Sequence, residues 1–267
     1  MNIFQSLIIA LSMYTAVPMP MAEWNEKNLR YCMCFLPVAG LIVAAFQFLL
    51  LFVCETLNIS PFLYGAAFCG LSVLVTGGIH IDGLIDTSDA LGSRGEREKK
   101  LQILDDPHAG AFGIAGAILY FLMLAGVAAE LYGRYERYEM EKYGIIAAVF
   151  SAFLTSRALT AAFVVNMAPS KKRGLLYTFS QAAAGRAVTV SSSAVLLLCV
   201  IFSFFRLGIT ALIPVLGLVL TAVYFSRTAR KQFGGISGDL CGWLIHMSEL
   251  ALLFCFLAAL AVREAFL

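Results

Sequence analysis

The sequence predicts an all-α fold, a polytopic integral-membrane helix bundle of about seven to eight spans. Three observations carry this. Hydrophobic residues make up 60% of the 267-residue chain, and the mean hydropathy is +0.84. Charged residues make up 13%, about half of the roughly 25% usual for soluble domains. The apolar residues fall in runs close to the ~20 that a helix needs to cross a bilayer core, with short polar loops between them. A single integral domain over residues 1–267 accounts for the whole chain.

The first run, 2–17, is short and closes on Val17-Pro18-Met19-Pro20, so a full crossing and a re-entrant or interfacial helix both fit it. It reads poorly as a signal peptide, because no Lys or Arg precedes the apolar stretch and no small-x-small cleavage site follows it. Further spans are expected over 32–54, 61–79, 112–131, 143–168, 188–205, 207–226 and 243–262, each bounded by a polar loop or turn. Of the seven cysteines, Cys32, Cys34, Cys54, Cys69, Cys199 and Cys255 lie inside these runs and behave as small hydrophobes. A disulfide framework is not expected, and no cysteine pair has zinc-ligand spacing with histidines nearby. A formal net charge of +2 is too small to argue for a nucleic-acid partner.

Lys and Arg mark the cytoplasmic side of a membrane protein. The loops at 18–30, 80–111, 169–187 and 227–242 hold 2, 4, 4 and 3 of them, thirteen in all. The opposite set holds five: three in 130–142, then Arg206 and Arg263. The unusual loops therefore share one face, which the charge rule makes cytoplasmic, and they can converge on one site there. A cell inner membrane is the expected location.

One of these loops opens with "GGIHIDGLIDTSDALGSR", residues 77–94. Asp82, Asp86 and Asp89 are spaced i, i+4, i+7, which on a helix puts the three carboxylates within an arc of about 60°. Like charges so placed destabilise a helix, most of all beside a low-dielectric membrane, so a counter-cation is expected. Oxygen-only ligands favour Mg²⁺ or Mn²⁺ over zinc, and Mg²⁺ is commonly held by one or two carboxylates plus substrate phosphates. As a solvated loop, the same acids would merely balance Arg94, Arg97, Lys99 and Lys100; their position at a span's end beside Gly77, Gly78 and Gly83 favours a site. His80, two residues before Asp82, suits either a positioning hydrogen bond or proton transfer. Neighbouring aspartates are expected to raise its pKa and weaken it as a base.

"LDDPHAGAFG" (104–113) offers Asp105, Asp106 and His108 ahead of a helix start, where an Asp-Pro turn alone would also explain them. "QFGGISGDLCGW" (232–243) sets Gly234, Gly235 and Gly238 before Asp239, a spacing suited to close phosphate approach. It is not a Walker loop, because the Lys-Ser/Thr ending is missing. Arg157 stands mid-span, where a functional role is the default and pairing with Glu249 the bland alternative. The basic loop "APSKKRGLLYTF" (168–179) reads equally as a topology determinant or an anionic-lipid contact. His246 and Glu249, at i, i+3, share a face of the last span.

Together these motifs resemble the cobalamin synthase family, the adenosylcobinamide-GDP ribazoletransferases. "GGIHIDGLIDTSDAL" resembles the family's Gly-Gly-hydrophobic-His-hydrophobic-Asp-Gly-Leu-x-Asp-x-x-Asp hallmark. "FLPVAGLIVA" (35–44), "LDDPHAGAFGI" and "GGISGDLCGW" resemble three further family motifs in the same order. Ser237, Ala90 and Trp243 depart from the family's usual threonine, glycine and alanine. The resemblance implies Mg²⁺ as cofactor, with His80, Asp82, Asp86 and Asp89 as catalytic residues and the three aspartates as metal ligands. It implies adenosylcobinamide-GDP and α-ribazole, or its 5′-phosphate, as substrates, and adenosylcobalamin or its 5′-phosphate with GMP as products. Asp105, Asp106, His108, Arg157, Gly234, Gly235, Gly238 and Asp239 are then expected to bind substrate.

Two other classes compete. "DTSDALGSR" faintly resembles the opening of the CDP-alcohol phosphotransferase motif, but the later Gly-x-x-x-Asp-x-x-x-Asp is absent. A transporter would use Arg157, His246 and Glu249 near the midplane, whereas the acids here cluster at span mouths.

Overall fold

In lipid, only helices and closed barrels satisfy every backbone N–H and C=O internally. This chain takes the helical solution throughout. The computed structural model describes residues 3–266. In chain order the helices are α1 (Ile3–Tyr14), α2 (Glu26–Leu29), α3 (Leu36–Thr56), α4 (Pro61–Thr76), α5 (Ile79–Gly92), α6 (Arg97–Ile103), α7 (Ala111–Arg137), α8 (Lys142–Asn166), α9 (Leu175–Ala182), α10 (Gly185–Leu207), α11 (Leu212–Thr228) and α12 (Gly238–Phe266). Among the described residues the only strand-like pairing is an isolated parallel bridge between Pro169 and Ile236.

Five helical stretches are long and apolar enough to cross a membrane, six if the bent pair α4–α5 counts as one, against the seven to eight expected. The difference has two sources. Two expected spans, α10 and α11, belong to one helical stretch of 49 residues, about twice the length of one crossing. It is interrupted by the tight turn Gly208–Ala211. α1 has 12 residues, about 18 Å of helix, and falls short of the ~30 Å core, so the interfacial or re-entrant reading of the first run is the one its length supports.

α8 lies at the centre, packed against α3, α10 and α12, while α5 packs between α12 and α7. The outward-facing belt is apolar, with Phe52, Leu74, Leu119, Leu198 and Leu220 exposed as a lipid-facing surface must be. Polar groups gather at the two ends. At one end the four basic loops meet: Lys171 reaches Asp105, Ile236 N–H donates to the Ala168 carbonyl at 2.9 Å, and Ala184 N–H donates to the Arg30 carbonyl at 2.8 Å. At the other, Lys142 pairs with Glu55 at 3.0 Å and Arg134 with Glu264 at 3.1 Å. The expected convergence of the basic loops is therefore present in the fold.

The turn from α4 into α5 positions the site. Gly77 (φ +64°) and Gly78 (φ +78°) are both left-handed, a conformation that costs glycine almost nothing and other residues about 1 kcal/mol or more each. They swing α5 by 104° from α4. α5 thus leaves the direction of α4 and lies across the start of α12 at the end where the basic loops meet.

Candidate active site

α5 carries Asp82, Asp86 and Asp89 on one helix, as their spacing predicts, with Asp82 in its first turn. It crosses the start of α12 with almost no space between the two backbones. A Cβ at Gly83 would lie 2.5 Å from the Asp239 carbonyl oxygen, and one at Gly242 would lie 2.7 Å from that of His80. Only glycine at both positions allows this crossing, and the crossing brings Asp239 to the aspartate stripe. Burial pushes the Asp86 carboxyl up to about 6, and the charges of Asp82, Asp239, Asp89 and Asp106 add to the shift. These acids therefore share one electrostatic field.

The three stripe residues do not play one role. Asp89 turns to the start of α7, where its Oδ1 accepts from Gly113 N–H at 3.1 Å and its carboxylate fills the space beside Gly110. A carboxylate there satisfies an orphan helix N–H and the positive end of the helix dipole. Asp82 and Asp239 instead line a cavity of about 330 Å³. Its walls come from the end of α1 (Tyr14), the start of α5, the end of α8 (Thr160), the loop carrying Lys171 and Arg173, α9, and the start of α12. Ser237 caps α12, accepting from Leu240 N–H at 3.2 Å while its hydroxyl donates to Asp239 at 3.3 Å.

His80 faces inward, away from the stripe. It is only 3% exposed, its ring stacks on Tyr14 at 5.9 Å and meets His246 edge-on at 6.3 Å, and its Nε2 has no hydrogen-bond partner among the described residues. Its neighbours are Tyr14 and His246 and not the aspartates, so the rise in pKa expected from the carboxylates lacks its cause. The correction follows from helix geometry, since α5 already includes His80 and turns it from the carboxylate face.

Arg157 is 1% exposed, and its guanidinium pairs with Glu249. His246 Nδ1 joins them, 3.4 Å from Glu249 and 2.9 Å from the Tyr120 hydroxyl. Arg157 does not line the cavity; its guanidinium ties α8 to α12 through the buried pair with Glu249. Asp106 and His108 also stand apart. They form an exposed local turn in which Asp106 Oδ1 accepts from His108 N–H at 3.0 Å, and the hydrogen bond from the His108 ring holds the Asp106 carboxyl below its usual range. Asp105 does line the cavity, as do Gly238 and Asp239. Gly234 (φ +72°) lies under the Arg97 guanidinium, and Gly235 packs against the Ala168–Ser170 backbone. Lys171, Arg173 and Tyr14 are wall residues that the sequence reading does not place in the site. The basic loop on the shared face was the signal for the first two.

Among the described residues no three His, Cys, Asp or Glu side chains form a group able to hold a metal ion by themselves. The donors present are hard carboxylates, and Asp82 and Asp86 are the stripe pair that α7 does not claim. That set suits Mg²⁺ in its frequent mode of one or two carboxylates completed by phosphate oxygens.

Fold and site together define a class: polytopic helical membrane proteins that gather carboxylates and cations around a cavity at one polar mouth. Within it, this chain belongs to the cobalamin-5-phosphate synthase family, whose model matches residues 6–257. It is 37% identical over 250 residues to the adenosylcobinamide-GDP ribazoletransferase of Lachnoclostridium phytofermentans, covering 94% of this chain and 92% of that one. It is 31% identical over 251 residues to the protein of that name from Clostridium perfringens, covering 93% and 96%. To the one from Acinetobacter baumannii it is 28% identical over 257 residues, covering 94% and 96%. No solved structure matches the chain.

Proposed function

We propose that this protein is an adenosylcobinamide-GDP ribazoletransferase working at the cytoplasmic face of the cell inner membrane. The ribose 3′-hydroxyl of α-ribazole, or of its 5′-phosphate, attacks the cobinamide-side phosphorus of adenosylcobinamide-GDP. A P–O bond forms to that oxygen as its proton passes to solvent, the pyrophosphate P–O bond breaks, and GMP leaves with the electron pair. The observation that carries the reading is the α5–α12 crossing, which sets Asp82 and Asp239 on one wall of a cavity in a member of this family.

The cavity, about 330 Å³, is at the small end of ligand sites, which run from about 300 to 1,000 Å³. It suits the pyrophosphate and nucleotide half of the substrate, so the corrinoid ring lies outside it, towards the membrane surface. Asp82 and Asp86 would hold Mg²⁺, which would neutralise charge on the pyrophosphate and on the departing GMP. Asp239, fixed by Ser237 and the α12 start, stands beside Asp82 on the cavity wall and would reach the reacting phosphate through the cation. His80, on the cavity wall, positions the attacking hydroxyl. Asp89 supports the site by fixing α7 against α5.

Purified protein incubated with adenosylcobinamide-GDP, α-ribazole 5′-phosphate and Mg²⁺ should release GMP, and EDTA should stop the release. No GMP with Mg²⁺ present would remove the transferase reading; undiminished release in EDTA would remove the metal.

A further inference from the structure

Lys171 and Arg173 stand on the cavity wall and have no part in the chemistry above. Both reach the same partner. Lys171 Nζ is 2.5 Å from Asp105 Oδ1, and Arg173 Nη2 is 3.5 Å from Asp105 Oδ2, so the two cations straddle one carboxylate. Lys171 Nζ also donates to the Leu101 carbonyl at 3.2 Å. The backbone just ahead is pinned to the glycine loop, because Ile236 N–H donates to the Ala168 carbonyl at 2.9 Å and Ser170 N–H to the Ile236 carbonyl at 2.8 Å. The same loop continues into Asp239. The cation pair and the carboxylates are therefore held in register around one cavity, although they come from distant parts of the chain.

A carboxylate between two cations occupies the place of a phosphate edge. The Arg173 side of this hold is weak, since the side chains of Asp105 and Arg173 are 52% and 79% exposed and solvent screens such pairs, while Lys171 makes the closer contact. A phosphate monoester brings more charge and more acceptor oxygens to the same two donors. We propose that Lys171 and Arg173 are the binding site for the phosphate of the leaving nucleotide, and that Asp105 is the carboxylate occupying it in the ligand-free protein. The inference deepens the ribazoletransferase reading and rests on it for the identity of the nucleotide. When the phosphate enters, the cations exchange Asp105 for it; when GMP departs, Asp105 closes the pair again. Asp105 thus opposes binding, the reverse of the contact expected from its position in the sequence.

The opposed signs make the test. GMP binding to the purified protein in neutral detergent is measured by calorimetry, alongside KM for adenosylcobinamide-GDP. Lys171→Gln and Arg173→Gln should each weaken GMP binding and raise KM about 10-fold, with kcat changed less than about threefold. Asp105→Asn should tighten GMP binding by about threefold. Arg173 is surface-exposed, so its variant keeps the test alive if Lys171→Gln does not fold. Both Gln variants within twofold of wild type, or Asp105→Asn weakening GMP as they do, would overturn the proposal. So would GMP binding that survives in phosphatidylcholine nanodiscs but is lost in phosphatidylglycerol ones, because the loop would then be a lipid-headgroup site. The predicted sign pattern in a wild type that shows no turnover would sink the transferase reading and leave the phosphate site standing.

Discussion

At the scale of single residues, Asp86 shows what the site costs the fold. Its carboxyl titrates near 6 instead of the usual value of about 4, through burial and neighbouring acids. A raised folded-state pKa means that ionisation destabilises the folded protein, so stability falls as pH rises from about 4 through 6. Asp86→Asn should therefore raise Tm by about 2–4 °C in EDTA at pH 7.5 and leave it unchanged at pH 4, while abolishing most turnover. Thermal melts across that range check it, and a gain of equal size at pH 4 would show that charge is not the cause. Arg157 makes the opposite case. Arg157→Met leaves Glu249 buried without its guanidinium, with only the His246 ring beside it, and should cost about 3 kcal/mol, whereas the double variant Arg157→Met, Glu249→Met should recover much of that loss. Denaturation of the single and double variants in one detergent decides it.

At the scale of elements, the crossing of α5 and α12 carries the geometry. Gly83→Val would drive a side chain into the Asp239 backbone and should separate the two helices, with loss of activity and of stability by about 1–3 kcal/mol. Gly70→Ala, where an added Cβ meets nothing within 4 Å, should leave both unchanged. An active Gly83→Val variant would show that the close crossing is not needed. This scale also divides what the sequence reveals from what it hides. The Asp82, Asp86, Asp89 stripe is legible because a helical repeat fixes where side chains point, and the span order is legible because apolar length is a local property. Asp89's turn to α7, the Arg157–Glu249 pair and the placing of Lys171 against Asp105 depend on which helices become neighbours, and spacing along the chain does not encode that. Gly77-Gly78 announces a break but not its 104° angle, so the helical stripe is legible while the direction in which α5 runs is not.

For the whole molecule, the charge count and the fold agree that the basic loops share one end. With the native cysteines replaced, a cysteine at Lys172 and one at Glu139, exposed at opposite ends, should react with a membrane-impermeant thiol reagent from opposite sides of the membrane. Labelling of both from the same side would refute the proposed topology. The far end is closed by its own ion pairs, including Lys142–Glu55 and Arg134–Glu264.

Between the cavity and that far end lies a layer of tightly packed rings, with Tyr64 stacked on Tyr132 at 4.4 Å and Phe68 beside Phe153 at 6.0 Å. Above it, the Arg157–Glu249 pair cancels its own charge. The consequence is electrical. A polar cavity at one end of a membrane bundle would become a leak for protons if a file of water connected it to the other side. Tightly packed rings leave no room for such a file, as the insulator of a capacitor does, and the Arg157–Glu249 pair carries no net charge. The bundle can therefore carry a polar cavity at one end while its middle stays sealed by packed rings and a self-neutralised pair.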